Sequence, residues 1–257
     1  MKQILIIPSI QNIDESLEIA EKYNLGFEYN DFFTPKVLDD AEKKNEIILK
    51  YKSHKLPEYT TSHGDFFDVT IFSSDKHIRE ISEMRIIQSI ETALEIGAKA
   101  VIFHTNHNPF LKQPWYISGW LCDNVNFFSE QLEKYPHLNI YIENMFDTSP
   151  DMLFMLAEQL CIYDNFGVCL DYAHASISPT PINEWIEKLH KYVKHLHIND
   201  NDLISDLHLA VGDGKIDWNL FKNYYDAYFS NTSMLIETTP LKYQLRSIEK
   251  LIELNIL

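Results

Sequence analysis

Short apolar segments alternate with helical patterns at intervals of about 30 residues along this chain of 257 residues. Each segment is a nearly continuous apolar run, which is typical of strands buried on both faces of a parallel sheet. Gly167 to His174 shows the pattern most clearly, because a short apolar strand ends there in Asp171 and His174. The eight predicted strands are Ile4–Ile7, Leu25–Tyr29, Tyr59–His63, Ala100–His104, Asn139–Glu143, Phe166–Leu170, Val193–Ile198 and Met234–Glu237.

Helical spacing of apolar residues fills most of the intervals between these strands. The predicted helices are Ile13–Tyr23, Pro35–Lys50, Ile78–Ile96, Asp123–Tyr135, Asp151–Leu160, Ile182–Tyr192, Trp218–Tyr228 and Tyr243–Leu254. Gly97 is expected to end the third helix, whose predicted apolar stripe is Ile78, Ile81, Ile86, Ile90 and Leu94. An aromatic loop is expected from Thr105 to about Trp120.

Eight strand–helix units in a chain of this length predict an α/β fold, a single (β/α)8 TIM barrel. A doubly wound open sheet is the competing arrangement, but no glycine-rich dinucleotide fingerprint follows the first strand. No linker, low-complexity segment or charge run divides the chain, so we expect one domain over residues 1–257.

The charge and the cysteine content indicate which binding partners and which cellular compartment suit this chain. The formal net charge is -16, and the only arginines are Arg79, Arg85 and Arg246, which disfavours nucleic acid partners. The odd count of three cysteines, without regular spacing, predicts no disulfide framework and favours a cytoplasmic location. The N-terminal apolar run is too short for a signal peptide, and no run approaches the ~18 apolar residues of a membrane span.

Histidines and carboxylates stand at or just after the carboxyl ends of most predicted strands. In a barrel these ends meet at one face, so residues distant in sequence are expected to converge there. The candidates are His63, His104, Glu143, Asp171, His174, His197 and Glu237, with Asp206 and His208 in the loop after the seventh strand.

A lone histidine at a strand end is more often a hydrogen-bonded structural residue than a ligand. The whole set is different, because buried charges are costly unless they are paired or bound to metal. Glu143, Asp171, His197 and Glu237 are therefore predicted to bind a divalent ion. The mixture of His, Asp and Glu suits Mn²⁺, Zn²⁺, Co²⁺ or Mg²⁺. A hydrogen-bonded network without metal is the alternative.

The sequence resembles the xylose isomerase-like TIM barrel superfamily, which contains sugar and sugar phosphate isomerases and epimerases and, as a related group, the endonuclease IV or AP endonuclease family 2 enzymes. The resemblance extends from Ile4 to about Pro240. The motifs that carry it are SHGDF (62–66), VIFH (101–104), IEN (142–144), CLDYAH (169–174), HLHIND (195–200), DLH (206–208), GDGKIDW (212–218) and IET (236–238).

The resemblance to the ketose epimerases implies one divalent ion between Glu143, Asp171, His197 and Glu237. It also implies that Glu143 and Glu237 are the catalytic acid/base pair, while His174 contacts substrate oxygens. An ion that polarises a substrate carbonyl and hydroxyl would stabilise an enediolate, and two glutamates could remove and return a proton. His63 and His104 would bind either metal or substrate.

The resemblance to the endonuclease IV group implies instead nine ligands around three zinc ions. All nine positions have a counterpart here, and Asp206-Leu207-His208 matches the Asp-x-His pair of the third ion. Isomerase-like relatives often carry a similar pair. An endonuclease IV-like zinc phosphodiesterase acting on abasic DNA is therefore the alternative to a sugar isomerase or epimerase, with one ion expected and up to three allowed.

The acidic charge, the scarce arginine and the Thr-Asn-His-Asn-Pro sequence after His104 favour a small carbohydrate substrate. Trp115, in the aromatic loop, is a candidate for stacking on a sugar in a lid. These aromatic residues could equally pack the loop onto the barrel or form a contact in a homo-oligomer. Glu28 and Lys215 are candidate substrate contacts, although such side chains usually meet solvent. A non-catalytic sugar-binding barrel, and dehydratase or aldolase chemistry, are further alternatives.

Overall fold

The computed structural model describes residues 3–65 and 68–257, so Phe66 of the SHGDF motif lies outside the described residues. Within these ranges, eight parallel strands close into a barrel in sequence order, and the last strand pairs with the first. The predicted single (β/α)8 TIM barrel is confirmed. The strands are β1 (Ile4–Ile6), β2 (Gly26–Tyr29), β3 (Thr60–His63), β4 (Ala100–His104), β5 (Asn139–Glu143), β6 (Phe166–Asp171), β7 (Val193–Ile198) and β8 (Ser233–Ile236).

Helices connect the strands. They are α1 (Ile13–Tyr23), α2 (Pro35–Leu38), α3 (Ala41–Lys52), α4 (Lys76–Ile96), α5 (Pro114–Lys134), α6 (Asp151–Leu160), α7 (Tyr172–Ile177), α8 (Ile182–Leu189), α9 (Trp218–Tyr224) and α10 (Leu241–Glu253). A 3₁₀ turn (Ile10–Asn12) precedes α1, and a π-helical turn (Tyr225–Phe229) continues α9. In the described part of the chain, no helix has the length and apolar character needed to cross a membrane.

The core has two parts, which together explain where the polar side chains can lie. The larger part contains outward-facing strand residues such as Val168 and Leu170 together with the buried faces of the helices. The smaller part is a separate cluster inside the barrel, formed by Ala100, Ile102, Tyr141 and Cys169. Side chains alternate along a strand, so the residues two positions after members of this inner cluster also face inward, nearer the mouth. These residues are His104, Glu143 and Asp171.

Strand register brings these inward-facing residues together. His104 on β4 pairs with Glu143 on β5, and Asp171 on β6 pairs with His197 on β7.

Several elements, among them β4, β5, β7, α1 and α6, have the bounds predicted from sequence. The predicted helix end at Gly97 is confirmed, since this residue caps α4 with φ 88°.

The predicted aromatic loop from Thr105 to Trp120 is wrong in its second half. Helix α5 begins at Pro114, a residue favoured in the first helical turn because it has no N–H to leave unpaired. Trp115, Tyr116 and Trp120 are therefore helical, and Trp120 is buried. The loop after β4 covers only residues 105–113, so these aromatic side chains do not form a flexible lid.

Two helix predictions need smaller corrections. The helix predicted over Pro35–Lys50 is broken, because the Asp40 side chain accepts a hydrogen bond from the Lys43 N–H and starts a new helix, α3. The predicted stripe on α4 is only partly buried: Ile86 and Ile90 are buried, whereas Ile78, Ile81 and Leu94 are exposed. Their expected place is taken by buried serines that bind loop N–H groups, Ser82 to Thr70 and Ser89 to Asp65.

Helix α7, which directly follows β6, was not predicted. Asp171 is its N-cap, and the Asp171 carboxylate accepts a hydrogen bond of 2.6 Å from the His174 N–H.

Cys122, Cys161 and Cys169 are free thiols, in agreement with the predicted lack of a disulfide framework.

Candidate functional site

The structure brings Glu143, Asp171, His197 and Glu237 together at the barrel mouth. One potential ligand atom from each lies within 4.8 Å of the others, and all four residues are buried. His197 Nδ1 lies 3.1 Å from Glu143 Oε2 and 3.5 Å from Glu237 Oε2. Three carboxylates in one buried cluster are unfavourable without compensating positive charge.

Two further clusters flank this one. Glu143 Oε2 lies 3.6 Å from His63 Nε2 and 3.5 Å from His104 Nε2, so Glu143 belongs to both the central cluster and this first flanking cluster. On the other side, Asp206 lies 3.4 Å from His174 Nε2 and 3.2 Å from His208 Nε2. The three clusters contain all nine residues that the sequence predicted to converge at the strand ends.

The orientation of three histidine rings is typical of metal ligands. Nδ1 of His63, His174 and His208 lies 2.9–3.0 Å from the backbone carbonyls of Gly64, Asn144 and Glu237 respectively. A carbonyl only accepts hydrogen bonds, so Nδ1 must carry a proton in each ring. In a neutral ring, Nε2 is then the nitrogen without a proton, and it faces the carboxylates of the cluster.

The central cluster has buried carboxylate oxygens that accept no hydrogen bond of good geometry within the described residues. They are Glu143 Oε1 and Oε2, Asp171 Oδ2 and Glu237 Oε2. Oxygen and imidazole nitrogen donors suit divalent ions of the Mn²⁺, Zn²⁺, Co²⁺ and Mg²⁺ group. The residues present therefore fit a divalent cation, which would supply the missing positive charge.

Proton affinities in the cluster are strongly perturbed. Burial raises the pKa of Asp171 to about 8, helped by Glu237 and Glu143 and opposed by His174. Burial would also raise the pKa of Glu143, but the nearby His197 and His104 hold it well below its usual range. Burial disfavours the His197 imidazolium, yet the surrounding carboxylates raise the pKa of His197 well above its usual value. Without a cation, protons on histidine balance the carboxylates.

Asn144 is a site residue to which sequence reasoning gave no role, although it lies in the predicted IEN motif. It is fully buried next to Glu143, and its backbone carbonyl faces His174 Nδ1. Its side chain makes two hydrogen bonds of 2.9 Å to the backbone of Asp171. Asn144 thus fixes the position of two candidate ligands at once.

Asp200 is a second residue to which the sequence gave no role, and it organises the loop that carries Asp206 and His208. Its fully buried carboxylate accepts hydrogen bonds from four N–H groups: the backbone N–H of Asn201, Gly212 and Ile216, and the Trp218 indole N–H. Gly214 is required beside it, because a Cβ at that position would lie 2.3 Å from Asp200 Oδ1.

A cavity of about 390 Å³ opens above the clusters. His63, His104, His174 and Glu237 line it, and Phe33 and Phe146 contribute aromatic side chains that the sequence did not suggest as site residues. A second cavity, of about 530 Å³, adjoins the first, and Ile7 and Thr239 line both.

Three predicted substrate contacts lie away from this cavity. Glu28 is fully buried, with Thr61 Oγ1 donating a hydrogen bond of 2.6 Å to its carboxylate. Trp115 is 63% exposed and packs near Phe72. Lys215 is exposed in the turn before α9, where its backbone N–H binds the Asn201 carbonyl. The structure thus places His63, His104 and His174 at the cavity, and Glu28, Trp115 and Lys215 outside its lining.

Comparison with protein families places this geometry in a known group, since the model of the xylose isomerase-like TIM barrel family matches residues 17–254. The chain belongs to the xylose isomerase-like TIM barrel family. This membership agrees with the closed barrel.

Three proteins illustrate what this chain is similar to in sequence or in fold. An uncharacterised protein of Methanocaldococcus jannaschii is 28% identical over 227 residues, which cover 85% of this chain and 83% of that protein. Fructoselysine 3-epimerase of Shigella flexneri is 29% identical over 164 residues, covering 61% of this chain but only 58% of the epimerase. The structure of a Thermus thermophilus protein soaked with ZnCl₂ superposes with a TM-score of 0.79 at 20% identity, covering 99% of this chain and 98% of the other.

Proposed function

We propose that this chain is a divalent-metal-dependent isomerase or epimerase that acts on a sugar, a sugar phosphate or a related polyol. The observation that carries the proposal is the central cluster, in which Glu143 and Glu237 both face His197 Nδ1. Glu143 ends β5 and Glu237 directly follows β8, three strands apart around the barrel, so they approach the mouth from different sides. The similarity to a fructoselysine 3-epimerase supports carbohydrate chemistry.

Glu143, Asp171, His197 and Glu237 would hold one ion of the Mn²⁺, Zn²⁺, Co²⁺ or Mg²⁺ group. When bound, such an ion polarises a carbonyl and a neighbouring hydroxyl and makes the adjacent C–H more acidic. The flanking clusters allow up to three ions, and Glu143 would then be shared by two of them.

We assign proton transfer to Glu143 and Glu237, because nearby histidines favour the ionised form of both carboxylates. Burial would raise the pKa of Glu237, but His197 and His208 lower it to about 2, so this carboxylate is ionised at neutral pH. Glu237 lines the cavity and can reach a substrate directly, while Glu143 is fully buried and lies at the same His197 nitrogen. We assign Glu237 the direct proton transfer at substrate carbon and Glu143 the complementary transfer from the other side.

Substrate orientation is assigned to the other groups that line the cavity. His63, His104 and His174 offer ring nitrogens to hydroxyl oxygens. Phe33 and Phe146 offer apolar surface to the C–H face of a sugar. The ring of Phe146 lies 6.2 Å from that of His174, so apolar and polar contacts are adjacent.

The second cavity supports a substrate that is larger than a free monosaccharide. It begins at Ile7 and Thr239, where the first cavity ends, and Asp31, Glu15 and Gln244 are among its polar lining residues. Asp31 and Glu15 outnumber Lys242, which also lines this cavity, so the lining favours a substituent that carries hydrogen-bond donors, such as an amine. A ketose with an amine-bearing substituent is expected to give a higher kcat/KM than the free ketose, measured with both compounds on the same metal-loaded protein.

Solvent isotope exchange tests the proposed chemistry. Metal-loaded protein incubated in D₂O with a panel of ketoses is expected to incorporate deuterium at the carbon that loses its proton. Glu143→Gln and Glu237→Gln should each reduce incorporation by about 10²-fold or more. Glu253→Gln, at an exposed carboxylate on α10, is the matched control and should leave the rate unchanged. Exchange that persists in both active-site variants would refute the glutamate pair.

The alternative function, an endonuclease IV-like zinc phosphodiesterase, is favoured by one observation: His174, Asp206 and His208 form a third cluster. Charge argues against it, since no lysine or arginine lines the described part of the cavity. The three arginines instead form ion pairs with Asp123, Asp39 and Asp213. Cleavage of an abasic DNA duplex that is lost on His208→Ala would establish the alternative, and absence of cleavage by zinc-loaded protein would exclude it.

A further inference from the structure

A buried network of one glutamate and two histidines lies directly beneath the central cluster. Glu28 Oε2 is 3.1 Å from His195 Nε2, and Glu28 Oε1 is 3.1 Å from His197 Nε2. All three residues have no exposed surface. Glu28 comes from β2 and the histidines from β7, which is three strands away around the barrel, so the contacts cross the barrel interior.

The backbone of β7 places the His195 and His197 side chains next to each other inside the barrel. His195 and His197 are two residues apart on β7, so both side chains point to the same face of the sheet, into the barrel. His195 is anchored at its other nitrogen, since Nδ1 lies 2.7 Å from the Ser233 hydroxyl. Thr61 donates a hydrogen bond of 2.6 Å to Glu28 Oε2 from the adjacent strand β3. Three side chains therefore surround the Glu28 carboxylate: the Thr61 hydroxyl donates to Oε2, His195 Nε2 also lies at Oε2, and His197 Nε2 lies at Oε1.

The position of Glu28 determines which nitrogen of His197 can bind a cation. An ionised carboxylate only accepts hydrogen bonds, so the His197 nitrogen facing Glu28, Nε2, must carry a proton. The opposite nitrogen, Nδ1, faces Glu143 and Glu237 in the central cluster. His63, His174 and His208 have the reverse arrangement, with Nδ1 facing a backbone carbonyl. His197 is thus the ring in this group that is fixed by a carboxylate and turns Nδ1 toward the cluster.

We propose that Glu28 is a positioning residue for the metal site, holding His197 as the Nε2–H tautomer with Nδ1 presented to a divalent cation. This inference rests on the proposed metal site at Glu143, Asp171, His197 and Glu237. Outer carboxylates of this kind set the ring orientation and raise the basicity of a ligating imidazole. Both Glu28 oxygens are directed at side chains within the barrel, so the structure assigns Glu28 to the support of the metal site instead of to substrate contact.

Replacement of the carboxylate by an amide separates this role from simple packing. Glu28→Gln keeps the volume, but its two terminal atoms are one acceptor and one donor. Because the Thr61 hydroxyl donates at Oε2 and His197 Nε2 lies at Oε1, the amide NH₂ group would face a donor at either position. The expected result is about a 10- to 100-fold weaker affinity for Mn²⁺ or Zn²⁺. Thr61→Val is the matched control, because it removes a hydrogen bond to the same carboxylate and leaves both histidine contacts in place.

The affinity experiment uses the 257-residue chain, stripped with a chelator and titrated calorimetrically with MnCl₂ or ZnCl₂, after circular dichroism has shown that each variant is folded. Weaker binding by Glu28→Gln together with near wild-type binding by Thr61→Val supports the inference. Equal affinities in wild-type and folded Glu28→Gln protein would overturn it. Failure of the wild-type protein to bind either ion would instead refute the metal site on which the inference rests.

A second measurement needs no substitution and so does not depend on the stability of a variant. Nitrogen-15 NMR of histidine-labelled wild-type protein, loaded with ¹¹³Cd²⁺, reports which ring nitrogen carries a proton and which is coupled to the metal. We expect His197 to show a protonated Nε2 and a cadmium coupling at Nδ1. Coupling at Nε2 of His197 would contradict the role assigned to Glu28, even if the metal binds.

Discussion

Asn144 and Asp171 are joined by a reciprocal pair of hydrogen bonds: the Asn144 amide donates to the Asp171 carbonyl, and its oxygen accepts from the Asp171 N–H, both at 2.9 Å. The pair connects the end of β5 to the end of β6 at full burial. Its two directions require one donor and one acceptor, which only an amide side chain supplies at this position.

Asn144→Asp is therefore expected to lower the free energy of unfolding by about 1–3 kcal/mol, since a carboxylate cannot donate to the Asp171 carbonyl and leaves it unpaired. Urea denaturation of the purified variant measures the effect. Asn139→Asp is the control, because Asn139 is at the more exposed start of the same strand and donates to the Lys99 carbonyl. Similar losses in the two variants would contradict the special role of Asn144.

The His208–Asp206 pair predicts a pH dependence of stability in the metal-free protein. Burial would lower the pKa of His208, but Asp206 and Glu237 raise it to about 10. A histidine with a raised pKa stabilises the fold fully below its unfolded pKa of about 6.5, and this stabilisation is lost as the pH rises toward the folded pKa. Chelator-treated wild-type protein should therefore lose more stability between pH 6.5 and about 10 than His208→Gln. Urea midpoints across this range test the difference, and parallel curves would be inconsistent with it.

Replacement of one carboxylate oxygen of Asp200 by an amide nitrogen is expected to destabilise the fold strongly. Its carboxylate accepts hydrogen bonds from four N–H groups, two at each oxygen. Asp200→Asn places an NH₂ group against two of these donors, so we expect a loss of about 3 kcal/mol or more in the free energy of unfolding. Asp202→Asn changes an exposed carboxylate of the same loop and should cost much less. A stability of Asp200→Asn close to that of the control would show that the loop is held by other contacts.

Substitution of Phe146 is expected to weaken substrate binding and to leave metal binding unchanged. It lines the cavity of about 390 Å³ and is 59% exposed, so its removal leaves the core intact. Phe146→Ala should raise KM several-fold for a substrate that is turned over, with an unchanged metal content. Phe110→Ala, at an exposed position that does not line this cavity, is the matched control. An unchanged KM in Phe146→Ala would remove this aromatic residue from the proposed sugar contact.

The sequence predicted the barrel and the convergence of His63, Glu143, Asp171 and His197 because both follow from local patterns. Continuous apolar runs such as Ala100–His104 show where buried strands lie, and a barrel places their carboxyl ends at one face. Helix α5 begins at Pro114 and not at the predicted Asp123, because a proline is favoured in the first helical turn.

The roles of Glu28 and Asn144 could not be predicted, because they depend on contacts between distant strands. Glu28 meets residues 167 and 169 positions away in sequence, on the opposite side of the barrel. The periodicity of residues along a single strand or helix does not indicate such a pairing. The choice of ring nitrogen in His197 depends on this pairing. The nine candidate ligands were accessible from sequence, whereas the groups that orient them needed the three-dimensional structure.

The central claim, that Glu143, Asp171, His197 and Glu237 hold a divalent ion, is tested most directly by elemental analysis of ions per chain. Protein purified without chelator, or reconstituted with Mn²⁺ or Zn²⁺ and then desalted, should hold at least one ion per chain. Asp171→Ala should lose that ion, while His208→Ala, which leaves all four ligands of the central cluster in place, should keep it. A wild-type protein that holds no ion after reconstitution, or an Asp171→Ala variant with unchanged metal content, would contradict the account.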